Sequence, residues 1–169
     1  MNRETGLGGI VGTEATSSAA AEMGEPRPED VRLQRLLAYW NERRGDRAMP
    51  SRAAIDPLDF AYVLGNIVLF GVEREPLRFR IRLQGSTFVQ RLGFDLTGRL
   101  LDDLTSMPNF RDLIAAAATA VVETGRPVHR RRNMIMDDRV LHYEALLLPL
   151  GTPEGVVEHV LIGCLMNGA

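Results

Sequence analysis

The sequence predicts an α+β domain: a five-stranded antiparallel sheet with a helical crossover and an N-terminal amphipathic helix. Three observations carry that prediction. Residues 77–84 alternate apolar and charged side chains with period two, as a half-buried strand does. Leu33, Leu36, Leu37 and Trp40 fall at i, i+3, i+4 and i+7, the apolar stripe of a helix. The strand-like segments come as a pair and then a trio, each linked by short turns and separated by helix. Short links make sequential strands antiparallel, and a helical stretch between two such groups gives the α+β order.

Taken from the N-terminus, residues 1–28 are rich in Gly, Ala, Ser, Thr and Glu and close on Pro26 and Pro28. This is the composition of a tail or linker, which places the folded domain at 29–169. Gly6, Gly8, Gly9 and Gly12 look like a phosphate loop, but Val11 stands where the dinucleotide pattern needs its third glycine, and no strand precedes it. The first helix runs over 29–44, with Arg32, Arg35, Glu42 and Arg43 opposite its apolar stripe, and Gly45 ends it. After a turn-rich stretch at 46–55, Asp56 caps and Pro57 opens a short second helix reaching about residue 64.

Two strands follow at 66–73 and 77–84, joined by a turn at Glu75-Pro76. On the second, Phe79, Ile81 and Leu83 are expected on the core face and Arg78, Arg80 and Arg82 on the other. Short helices and turns occupy 85–107, and the strongest helix of the chain follows at 110–124. On it Phe110, Leu113, Ile114, Ala117, Ala118 and Val121 share a face, and Gly125 with Pro127 stops it. Strands at 128–136, 140–148 and 156–166 complete the chain, with turns at Asp137-Asp138 and 151–155.

A length of 169 residues, 45% of them hydrophobic, allows one core that needs neither metal nor disulfide. All 20 basic residues are Arg, against 22 acidic ones, for a net charge of -2. That balance gives no electrostatic case for a nucleic acid or an anionic membrane as partner. The absence of Lys removes Schiff-base and Walker-type lysine chemistry. Cys164 is alone and cannot form an internal disulfide, which fits a reducing compartment. With no signal-peptide core and no membrane-length apolar run, a cytoplasmic location is expected.

Tyr39-Trp40, Met49-Pro50-Ser51-Arg52, Ile55-Asp56-Pro57, the run Phe79-Arg80-Ile81-Arg82-Leu83, Gly85, and Gly93-Phe94-Asp95-Leu96-Thr97-Gly98-Arg99 occur in an order that resembles the bacterial single-domain PAS_5 family of the PAS superfamily, formerly a domain of unknown function. The resemblance covers roughly 33–166. It implies a sensory or interaction module and supplies no catalytic residues.

PAS relatives bind haem, flavin, small carboxylates or nothing, and each ligand needs its own residues. Haem-binding relatives commonly carry an axial His on the long crossover helix, and 110–124 contains none. His129, His142 and His159 lie on strands with no spaced Cys or carboxylate partners, so no metal site is predicted. Flavin-adduct relatives need a reactive Cys after the second strand, whereas Cys164 is on the last and reads as a small buried hydrophobe. No cofactor is therefore predicted. Ser51 and Ser86 have no His near them in sequence, and the pairs Asp102-Asp103 and Asp137-Asp138 read as cap and turn. The chain is not expected to be an enzyme.

The remaining expectations concern binding. Phe79, Ile81, Leu83, Leu113, Ala117 and Val121 are the candidate lining of a pocket under the long helix, or simply its core. Arg52, Arg80 and Arg82 are the polar or anion-binding candidates. Were the faces bearing Arg78, Arg80, Arg82, Arg130 and Arg132 to coincide, they would form one cationic stripe; pairing with carboxylates is the competing reading. Leu33, Leu36, Leu37 and Trp40 form an interaction helix, to be covered by the sheet or by a partner such as a second copy. Function is expected to be that of a stand-alone regulatory module in bacterial signalling, contacting an unidentified signalling protein. The alternative is a small-molecule sensor with an occupied apolar pocket.

Overall fold

The computed structural model describes residues 24–136 and 139–167; the glycines of the first dozen residues and the Asp137-Asp138 turn lie outside them. Helix α1 spans Val31–Arg44, opened by the Asp30 carboxylate, which accepts from the Arg32 N–H, and closed at Gly45. The predicted second helix is a tight-turned segment at Pro57–Asn66, capped by Asp56 and broken at Phe60, where φ and ψ are non-helical. Strands β1 (Ile67–Glu73) and β2 (Arg78–Gln84) follow. Then come the short α2 (Ser86–Leu92), one turn at Leu101–Asp103, and the long α3 (Pro108–Thr124). Pro108 opens α3 and Gly125, at φ 64°, closes it in the left-handed region where glycine carries no steric penalty. Strands β3 (Val128–Met136), β4 (Arg139–Gly151) and β5 (Val157–Asn167) complete the sheet.

All pairings are antiparallel, in the order β2-β1-β5-β4-β3. The last strand thus sits at the centre, joining the early hairpin to the late one. Both faces of the sheet are covered. On the inner face α3 and the 85–107 segment pack over Val68, Phe70, Ile81, Ile162 and Cys164. On the outer face α1 and the 52–66 segment cover Ile67, Leu69, Leu83, Leu150 and Leu161. This double cover explains why residues 145–151 of β4 and 160–165 of β5 are buried without alternation. The edge strand β2 keeps the alternation that the sequence displays.

One face assignment is corrected. The β1–β2 ladder slips between Leu69 and Phe70, so that Leu69 faces Leu83 while Phe70 faces Ile81, and Arg82 is the extra residue. Such a bulge turns two successive side chains to one side. Phe79 and Ile81 stay on the inner face, whereas Leu83 joins Leu69 and Leu161 on the outer one.

Candidate functional site

The inner face holds an apolar cavity of about 40 Å³ between the sheet, α2 and α3. Its walls are Val68, Phe70 and Ile81 from the hairpin, Phe88 and Leu92 from α2, Leu101 and Leu104 from the following turn, Phe110 and Ile114 from α3, and Ile162 and Cys164 from β5. Gln84 brings an amide to its rim, but its Oε1 accepts from the Leu96 N–H (2.7 Å) and its Nε2 donates to the Phe94 carbonyl (3.3 Å). Both ends of that amide are therefore engaged, and the cavity offers an incoming molecule contact but little directional recognition. Its volume holds a few water-sized spheres, each about 10–15 Å³, far below the 300–1,000 Å³ typical of ligand pockets.

Of the predicted lining only Ile81 faces this cavity. Phe79 is buried beside it, its ring 5.5 Å from that of Phe70. Ala117 and Val121 are buried farther along α3, Leu83 is on the outer face, and Leu113 is 42% exposed. The buried stripe is one residue narrower than the sequence predicts, because an arc of Phe110, Ile114, Ala117, Ala118 and Val121 leaves Leu113 at its margin. The parity of β5 is the signal that points to Ile162 and Cys164.

No His lines the cavity, so the axial ligand common in haem-binding relatives has no counterpart there. Burial pushes the Cys164 thiol up to about 12, so at neutral pH it carries no nucleophilic thiolate. The histidines are dispersed: His129 Nε2 lies 2.8 Å from Glu144, His142 Nδ1 lies 2.5 Å from Asn133, and His159 is on β5. Among the described residues no group of three metal-binding side chains comes together.

The outer face carries the polar apparatus. Glu144, on β4, accepts from the backbone N–H groups of Glu29 (2.6 Å) and Asp30 (3.1 Å) at the entrance to α1. Burial works to raise its pKa, but those two donors and His129 outweigh it and hold the carboxyl below its usual value. Arg131 adds an ion pair with Glu29. Farther along α1, the Trp40 indole donates to the Pro149 carbonyl at 2.9 Å. Leu33, Leu36 and Trp40 are buried against the chain's own sheet and Leu37 packs at their edge, so this stripe is not free for a partner. Sequence reasoning missed Glu144, whose role depends on a contact more than a hundred residues away.

The single cationic stripe does not form. β2 and β3 are the two opposite edges of the sheet, and Arg130 and Arg132, paired with Ala145 and Tyr143, share the face that Phe110 meets through Tyr143. Arg80 forks onto Glu73 and gives a third bond to the Gly98 carbonyl at 2.9 Å. Arg52 donates to the Ile55 carbonyl at 3.1 Å and walls a small outer-face cavity. Arg82 crosses the outer face over Gly71.

With this architecture in place, comparison decides the family: the PAS_5 model, described as a PAS domain, matches residues 29–166. The chain belongs to the PAS_5 family. No curated protein matches the sequence of this PAS_5 domain. Among solved structures it is similar to the PAS domain of Bordetella pertussis BvgS, at 16% identity and TM-score 0.44, covering 66% of this chain and 86% of that one. It is also similar to an RNA-binding Light-Oxygen-Voltage receptor, at 17% identity and TM-score 0.44, covering 69% of this chain and 35% of that one. No helix among the described residues is long and apolar enough to cross a membrane.

Proposed function

We propose that this PAS domain, whose family implies sensing or signalling, is a regulatory module that works by protein–protein contact rather than catalysis, with α1 as the moving element. The observation that carries the reading is the seat of α1 on β5. At Gly163 a Cβ would lie 2.7 Å from Leu33 and 2.9 Å from Leu36, so the helix rests directly on strand backbone. Ile162 and Cys164, the residues on either side, line the inner cavity. Widening of the cavity that displaces β5 carries with it the close-packed helix behind that strand. A ligand or partner with unequal affinity for two seatings of α1 shifts their populations.

The experiment combines native mass spectrometry of the purified chain with affinity capture. No co-purifying mass, together with capture of a signalling protein that is lost in Ala38→Glu on the exposed side of α1, supports the contact reading. A tightly held small molecule supports instead the second reading, a sensor with an occupied pocket, which the largely apolar character of the cavity walls favours. Because α1 turns its Leu33, Leu36 and Trp40 stripe inward, a homodimer would have to use another surface.

A further inference from the structure

We propose that Arg52, Arg82 and His159 form a binding site for an oxyanion of the phosphate class on the outer face of the sheet. This lies outside the inner cavity and does not depend on the regulatory reading.

Three elements bring the groups together. His159 on β5 is the register partner of Gly71 on β1, whose other neighbour is β2. Gly71 has no side chain, and the Arg82 stem fills that space: a Cβ there would lie 2.9 Å from the Arg82 Nε. Arg82 therefore reaches across β1 toward β5. Arg52 comes from the 52–54 turn and walls a cavity with Leu150, the β4 partner of His159, and with Leu161, two residues along the same face.

The donors are largely unspent. A guanidinium carries five N–H groups. Arg52 uses one on Ile55, and Arg82 makes no hydrogen bond or ion pair among the described residues. His159 Nδ1 is buried without a partner, leaving Nε2 as the nitrogen a ligand can meet. Two carboxylates lie within electrostatic reach of the trio, Glu158 acting on His159 and Glu73 on Arg82. Glu73 on β1 is held by Arg80, Glu158 on the same strand as His159 is exposed, and Arg74 adds another cation, bonded to the Val157 carbonyl. Burial first, then Arg52 and Arg82, depress the His159 pKa against the pull of Glu158. An anion set among the three would reverse the effect of those two arginines. Two fixed cations with a third donor suit a dianion with three oxygens better than a planar monoanion.

The test is titration of the full chain with inorganic phosphate at constant ionic strength, followed by amide and imidazole NMR. Saturable shifts at Gly71, Arg82 and His159 are expected, with a rise in the His159 pKa. Arg82→Gln, which removes the guanidinium and keeps part of the stem packed over Gly71, is expected to weaken binding about tenfold or more. Gly71→Ala, which displaces the Arg82 stem, is expected to weaken it as well. Non-saturating shifts, equal shifts with chloride, or unchanged affinity in Arg82→Gln would overturn the site. Tighter binding of acetate than of phosphate would overturn the ligand class.

Discussion

Trp40 shows how much one side chain holds here. It is 3% exposed, its ring seals the outer face, and its indole satisfies the carbonyl of Pro149, itself buried in β4. Trp40→Phe removes that hydrogen bond and is expected to cost about 0.5–1.5 kcal/mol. Trp40→Ala also empties the ring volume, for about 3–5 kcal/mol; urea unfolding of the two variants separates the terms. His159 acts through charge. Burial, followed by Arg52, holds its folded pKa below 6.5. Protonation therefore favours the unfolded chain: the stability His159 confers is complete above its unfolded pKa and is lost as pH falls through the folded value. In phosphate-free buffer, His159→Gln should flatten the fall in melting temperature between about pH 7 and 5. Equal slopes in the two proteins would refute this.

At the scale of elements, local chemistry marked the ends correctly. Gly45, Asp56-Pro57 and Gly125 act within a turn of their own positions, so sequence alone discloses them, whereas the Asp30 cap starts α1 two residues later than the sequence suggests. The side chains' faces were less legible where they depend on pairing. Arg82 is surplus only against the β1 register, and that surplus sends Leu83 outward. The attachment of α1 is likewise a tertiary matter. Glu144 accepts from two backbone donors of the helix entrance and from His129, and its side chain is only 13% exposed. Glu144→Ala is expected to cost about 1–3 kcal/mol. Hydrogen exchange should quicken in the first turn of α1 while β5 stays protected; uniform loss of protection would mean that the helix and sheet are not separable units.

For the whole molecule, the sheet separates an apolar inner chamber from an outer face where α1, Arg52, Arg82 and His159 reside. The two sides of α3 make the point testable. Ile114 is 5% exposed and lines the chamber, whereas Leu113 is 42% exposed. Ile114→Ala is expected to cost about 2–5 kcal/mol and to enlarge the cavity, with Leu113→Ala within about 0.5 kcal/mol of the parent. Thermal unfolding of both variants checks the contrast, and equal losses would place the helix in a different rotation.

Sequence by itself determined the element order, the antiparallel α+β class, the resemblance to PAS_5 and the absence of Lys chemistry, since periodicity, turn residues and composition are local properties. Only the tertiary structure decided that β5 lies centrally, that the arginines of β2 and β3 stay apart, and that Arg52, Arg82 and His159 converge. Those outcomes rest on strand order and on one bulge, both set by contacts between residues far apart in the chain, where a one-residue change of register reverses the face a side chain occupies.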